Sequence, residues 1–401
     1  MAITDKEKGV WELDQVYNKI NEGGIWDYTV PGGDPLSLFI WGQDHNGKLG
    51  LNESTGNLSS PTQVPGQWSA RCGPYAQGDG CVVAVKTDGT LWSWGYDGYG
   101  QSGHNDTVYR SSPMQIGTDT TWAQGTTGYR CSYSVKTNGT LWSWGNNETG
   151  QLGINDRTKR SSPTQIGAGT DWDRVAGNNI TPVAFKTDGT MYTWGSNSYG
   201  RLGINLTGQG NANNRSSPTQ LPGTWNADAS HNVGGAQVGS AIKTDGTLWL
   251  WGWNQSGDLG LNDRTYRSSP TQMGTDTTWA QVSSGPGGGM ASKTDGTLWA
   301  WGNNGGGILG QNQAQPGFPR VSSPVQIPGT TWSTDLGDVS YHRGAIKTDG
   351  TLWVWGGNSY YGTLGLNQGP GQSSGYSSPT QLPGTWAQIQ RSSSYNAIGF
   401  K

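Results

Sequence analysis

The dipeptide Trp-Gly recurs seven times, at Trp41, Trp94, Trp144, Trp194, Trp251, Trp301 and Trp355, with spacings of 53, 50, 50, 57, 50 and 54 residues. A period near 50 residues marks a repeat architecture, in which one unit cannot bury its own apolar face and relies on stacking against its neighbours. Two further aromatic series run in phase with the first. Trp68, Trp122, Trp172, Trp225, Trp279, Trp332 and Trp386 fall between the Trp-Gly pairs, and Phe39, Trp92, Trp142, Tyr192, Trp249, Trp299 and Trp353 stand two residues before them. The three series use 19 of the 22 tryptophans in 401 residues, while only 31% of the chain is hydrophobic, so indoles must replace the missing aliphatic side chains in the core.

Each repeat reads as strands and turns. In residues 85–95, Asp88-Gly89 separates two β-prone runs, a strong short-range hairpin signal, and five later copies keep it, one as Asn138-Gly139. Trp92 and Trp94 lie two apart and therefore project from the same face of a strand. A second hairpin is expected from Ser161–Ile166 to the strand starting near Trp172. Four short strands per unit predict an all-β, seven-bladed β-propeller with four-stranded blades over residues 36–401. The chain ends at Ala397–Lys401, just before an Asp-Gly turn is due, and the first copy, Leu36–Gly42, begins just after one. Pairing of these N- and C-terminal strands would close the ring, with three strands of the closing blade expected from the C-terminal end and one from the N-terminal end.

Lys136 to Gly153 follows almost throughout the pattern of a hydrophobic strand, Asp/Asn-Gly, a strand ending in Trp-Gly, then Asn-x-x-Gly-Gln-Leu-Gly. In this the chain resembles the regulator-of-chromosome-condensation repeat family, and the resemblance covers residues 36–401. It implies a seven-bladed propeller. The founding member of that family is an exchange factor for a nuclear small GTPase and contacts chromatin, using a protruding insertion from one blade. Here the longest insertion is Leu206 to Asn214, and no basic tail is present for DNA.

Residues 1–35 form a separate docking segment and linker. Thr4 and Glu7 fit a capping box, Val10, Leu13, Tyr17 and Ile20 recur at helical spacing, and Gly23-Gly24 is a stop, which predicts a helix over about 5–22. The apolar stripe has no place inside a closed ring, so it is expected to dock on another chain. This opening stretch also resembles short N-terminal segments of marine bacteriophage structural proteins.

Net charge is −3 with a pI near 5.8, which offers no field for a phosphate backbone or an anionic bilayer. Neither nucleic acid nor membrane insertion is expected, and the charged stretch Met1–Lys8 does not read as a secretory signal. Location in a virion, or otherwise in the cytoplasm, is the expectation. Three cysteines lack metal spacing, and both a Cys72–Cys81 disulfide and free buried thiols stay open. His45, His104, His231 and His342 fall in different repeats and read as packing or surface residues. Asp88, Asp188, Asp245, Asp295 and Asp349 each belong to an Asp-Gly turn, and a residue repeated around a ring at one structural position serves that position rather than catalysis. The glycine clusters near Gly287 and Gly306 are not phosphate loops. No catalytic, cofactor-binding or metal residue, no cofactor and no enzymatic activity is therefore expected.

Arg110, Arg160, Arg215 and Arg267 each precede Ser-Ser-Pro, and their recurrence suggests hydrogen bonding between blades. The loop after Trp-Gly varies more: it carries Tyr96, Tyr99, Tyr199, Trp253, Tyr360 and Tyr361, which should gather on one side of the ring. They either lid their own blades or anchor a protein or sugar. The functional expectation is a non-enzymatic virion protein of a tail, fibre or capsid decoration. It would dock on other virion proteins or its own copies through Val10, Leu13, Tyr17 and Ile20, and display the propeller to a host-surface glycan or protein. The alternatives are a cellular propeller scaffold for protein–protein interaction and a glycan-binding adhesin.

Overall fold

A computed structural model describes residues 36–401 except 53–55, 70–71, 74–79, 178, 207–212, 229–236, 286, 313–319, 339–341, 359–360, 369–374 and 391–395. The helix expected over 5–22, with Val10, Leu13, Tyr17 and Ile20, lies outside the described residues, as do His231 and Tyr360.

Seven sheets, antiparallel except where Cys72–Gly73 pairs in parallel with Gly125 and Thr126, form the seven blades of a β-propeller. In the blade of Trp144 the strands run from the inner Trp122–Thr127 through the second, Cys131–Lys136, and the third, Leu141–Gly145, to the outer Arg160–Gln165. Burial follows from this order: the second strand of the Trp94 blade, Cys81–Val85, is buried at all five positions, because neighbouring blades cover both its faces. Outer strands are partly exposed edges, and each carries a proline, such as Pro163, Pro218 or Pro270, whose missing N–H discourages edge-to-edge pairing. In the Trp94 and Trp251 blades the inner strand is reduced to single bridges, Trp68 with Lys86 and Trp225 with Lys243.

The Asp-Gly hairpins form as expected, with a particular turn chemistry. Asp88 Oδ1 accepts from the Thr90 N–H at 2.9 Å and the Thr90 hydroxyl at 2.6 Å, and Gly89 alone takes the left-handed conformation (φ 80). The second expected hairpin does not form. Ser161–Ile166 includes the outer strand of one blade, paired with the third strand, and Trp172 opens the inner strand of the next blade. The segment between them is a crossover, which is how a propeller steps from rim to centre.

The same offset corrects the closure. Leu38–Gly42 pairs with Phe400 to Asn396 as expected, but the closing sheet takes two strands from each end: Leu36–Gly42 and Leu58–Trp68, with Gln388–Gln390 and Asn396–Phe400. Cys81 and Cys131 are buried free thiols, so the Cys72–Cys81 disulfide is not formed.

Two bonds repeat at every blade junction. The Trp-Gly indole N–H donates to a carbonyl in the preceding blade's loop, from Trp94 to Lys48 at 3.0 Å, Trp144 to Gln101 at 2.8 Å and, across the closure, Trp41 to Thr363 at 2.9 Å. A left-handed asparagine donates its backbone N–H to a serine carbonyl of the next blade, from Asn105 to Ser161 at 2.7 Å through to Asn367 to Ser59 at 2.8 Å. The arginines expected at these junctions instead stay within their own loops: Arg160 meets Asp156 at 2.6 Å, Arg267 meets Asp263 at 2.5 Å, and Arg215 caps the Asn213 and Asn214 carbonyls. For Arg110, Arg160 and Arg267 a spacing of four from an aspartate closes the loop upon itself.

Candidate binding surfaces on the two faces of the ring

Antiparallel blades sort their connections by face. The inner-to-second and third-to-outer loops emerge on one side, here the loop face, and the Asp-Gly turns and blade-to-blade linkers emerge on the other, the turn face.

On the loop face the expected aromatics gather in two clusters. Tyr199 reaches across to the next blade, where its ring lies 4.4 Å from Trp253 and 5.7 Å from Tyr266, and Trp253 and Tyr266 stack at 4.7 Å. Tyr266 is 42% exposed, so the cluster has an open edge. Tyr199 holds φ 62, a conformation costly for a bulky side chain, at a place where other copies use Asn46 or Gly306. The second cluster joins Tyr96, Tyr99 and Tyr109, beside exposed Val108. Arg130 from the next blade lies 4.4 Å from the Tyr99 ring and 4.6 Å from that of Tyr129, donating to the Tyr99 hydroxyl, while Lys159 lies 4.7 Å from Tyr99. Tyr361 is half-buried and joins neither of these ring clusters.

Beneath the second cluster the Trp94 blade differs from the Trp144 and Trp251 blades. Asn147 and Asn254 each donate Nδ2 to three acceptors of their loop, and Asn147 accepts from the Leu152 N–H at 3.0 Å. Asp97 occupies this position without a donor. Arg110 compensates by reaching the Val108 carbonyl at 2.6 Å and Asp106 Oδ1 at 3.1 Å, with Nη1 3.6 Å from Asp97. Burial raises the Asp97 pKa to about 6, against the hydrogen bonds from Ser102. Burial likewise pushes His104 down to about 4 and His342 down to about 3, keeping both neutral packing groups, and raises Cys131 to about 12. Among the described residues no three His, Cys, Asp or Glu side chains converge as a metal site would require.

The turn face carries a series that the aromatic pattern obscures. Lys86, Lys136, Lys186, Lys243, Lys293, Lys347 and Lys401 each place their ammonium beside two aromatic rings, one from the inner-strand series and one from the third-strand series. The signal is visible in the sequence: in six copies a lysine precedes Asp-Gly or Asn-Gly by two residues, and Lys401 ends the chain where a seventh is due. Three of these lysines meet a linker aspartate, Lys136 with Asp119 at 2.6 Å, Lys186 with Asp171 at 3.0 Å and Lys293 with Asp276 at 2.5 Å. Before the other four rings the linker reads Pro-Gly, as in Pro222-Gly223, and supplies no acid. Grooves of about 360 and 450 Å³ open between neighbouring outer strands beside Lys186 and Lys243.

Comparison with known proteins agrees with this architecture. The family model described as the Regulator of chromosome condensation (RCC1) repeat matches residues 88–135, 138–181, 188–240 and 245–291. E3 ubiquitin-protein ligase HERC2 of Homo sapiens is 30% identical over 79 residues, 20% of this chain and 2% of that protein. Probable E3 ubiquitin-protein ligase HERC3 of Homo sapiens is 26% identical over 110 residues, 26% of this chain and 10% of that protein. The chain thus spans a small fraction of these relatives. The structure of Prp20p from Saccharomyces cerevisiae, described with its binding to Gsp1p and histones, superposes with a TM-score of 0.74 at 16% identity over 92% of this chain and 91% of that one. Human WBSCR16 gives a TM-score of 0.72 at 20% identity over 92% and 99%. At such identities the likeness is one of fold.

Proposed function

This chain belongs to the regulator of chromosome condensation (RCC1) repeat family, and from that premise we propose that it is a non-enzymatic propeller scaffold whose loop face binds a protein partner. The observation that carries this reading is the Tyr199–Trp253–Tyr266 cluster: stacked, partly exposed aromatics are what protein interfaces use as anchors. Yeast Prp20p binds Gsp1p and histones, which supports a propeller of this shape as a protein-binding platform. Ligase activity in the HERC proteins is a property of those whole proteins, of which the matched stretch is a small part. The virion reading draws on residues 1–35, outside the described residues, and the comparisons support the scaffold alternative.

The test is affinity capture from cell extract by the intact protein and by a Trp253→Ala/Tyr266→Ala variant. A partner held by the first and lost by the second, with an affinity difference of tenfold or more, supports the reading. An identical set of retained proteins would reject the loop face as the binding surface. Binding to an immobilised glycan that the same variant abolishes would reassign the surface to sugar.

A further inference from the structure

We propose that the turn-face groove between the Trp194 and Trp251 blades is a second binding site, one that takes a glutamate or aspartate side chain from an extended acidic peptide. The argument rests on two grooves built alike but finished differently. Each lies between successive outer strands, walled by the left-handed asparagine, a glutamine, a Ser-Pro pair and an isoleucine, and reaches a clamped lysine at its turn-face end. In the groove of Lys186 the chain supplies its own carboxylate, Asp171 at 3.0 Å. In the groove of Lys243 the linker is Pro222-Gly223, and no carboxylate of the described residues lies within 4 Å of the ammonium. Asp245, two residues along the chain, is engaged by the Thr247 N–H at 3.0 Å and hydroxyl at 2.6 Å.

Glycine at 223 is what keeps the place open. It holds φ 111, and a Cβ there would come within 3.2 Å of Lys243 Cε and 3.5 Å of Nζ. The ammonium leans instead on the Trp249 ring, 3.8 Å from its centroid, closer than the 5.3 Å of Lys186 from Tyr192. The remaining polar groups make a surplus of donors. Gln220 Oε1 accepts from the Tyr192 hydroxyl and Asn205 Oδ1 from the Ser269 hydroxyl, so both amides spend their oxygens and keep their N–H groups. Donors beside an aromatic floor and walls of Ile204, Pro222 and Pro270 suit a carboxylate with apolar neighbours. A volume of about 450 Å³, open along two edge strands, fits a few residues of extended chain.

The probe is a hexapeptide alternating glutamate and leucine, with glutamine-for-glutamate and oligogalacturonate arms, followed by hydrogen exchange on the full chain. The acidic peptide should slow exchange over residues 215–225 and 243–249, and the effect should fade with added salt. Lys243→Met should remove that protection and Lys243→Arg should retain it. Asp171→Asn, which frees Lys186, should create new protection over residues 160–172. Trp253→Ala should change none of this, so the two surfaces stand or fall separately. Equal protection by the glutamine peptide, protection surviving in a folded Lys243→Met protein, no protection in the unaltered protein, or protection by oligogalacturonate alone would each overturn the proposal.

Discussion

The turn face and the loop face are built from the same seven repeats, yet one is uniform and the other is not. On the turn face every blade places a lysine between two rings beside an Asp-Gly-type turn or the chain end. On the loop face, different copies carry Asn46, Tyr199 or Gly306 at one left-handed position and Asp97 or Asn147 at another. Each blade must turn back at the end of its second strand, and there the lysine lies against two rings of its own blade, so the same residues recur seven times. The loop face varies from copy to copy, and there the chain tolerates local cost: a left-handed tyrosine that meets Trp253 of the next blade, and a buried carboxylate.

The largest effect should come from breaking what is uniform. Deleting residues 396–401 removes the strand paired with Leu38–Gly42 and uncovers Leu38, Ile40 and Trp41, each buried to within 1%. Large apolar side chains forfeit about 1.5–3 kcal/mol each when exposed, against a total stability of about 5–15 kcal/mol. The truncated protein should lose its cooperative melt by circular dichroism and aggregate on gel filtration; a normal melt would mean that the ring does not depend on this closure. Next in size, Trp194→Ala removes a fully buried indole and its 2.9 Å bond to the Gln151 carbonyl, and should cost about 3–5 kcal/mol in chemical denaturation.

What was legible in the sequence follows the same division. The Trp-Gly series, the Asp-Gly hairpins and the pairing of the chain ends could be read because ring symmetry repeats them seven times. The assignment of Ser161–Ile166 failed because a strand pattern shows that a strand exists and not which sheet it joins; a crossover and a hairpin have similar flanking residues. The arginines misled because recurrence shows that a residue is structural without naming its partner, and for three of the four an aspartate four residues away was the nearer one. The lysine clamps were missed because a lysine beside a turn reads as a solvated charge, although its stem and ammonium lie against two rings. The loop aromatics were legible as a group, but their meeting across blades, Tyr199 with Trp253, depends on the blade-to-blade step.

A smaller effect should follow from making the Trp94 blade like the Trp144 blade. The folded pKa of Asp97, about 6, lies above the ordinary 3.8, so the fold prefers the protonated carboxyl. That contribution is complete below about pH 4 and is lost as pH rises through about 6. Asp97→Asn restores the donor that Asn147 supplies, and should stabilise the protein by about 1–3 kcal/mol at pH 7.5 and much less at pH 4.5. Urea denaturation at the two pH values measures it. An equal effect at both would show that Arg110 already neutralises the site.

The smallest change in stability, and the most telling for function, is expected at Tyr199. Its left-handed backbone costs about 1–2 kcal/mol relative to glycine or asparagine, while its ring contacts with Trp253 and Tyr266 return about 0.5–1.5 kcal/mol each. The two nearly cancel, so Tyr199→Asn, which copies the residue at Asn46, should alter stability by less than about 1 kcal/mol. If the cluster is a partner's anchor, the same variant should weaken capture at least tenfold, because the Trp253–Tyr266 stack loses its edge-on support. If the cluster is a lid over its own junction, the balance shifts the other way: stability should fall by more than about 2 kcal/mol and capture should persist. Thermal melts and capture on one preparation of the variant therefore separate a costly conformation kept for binding from one kept for packing.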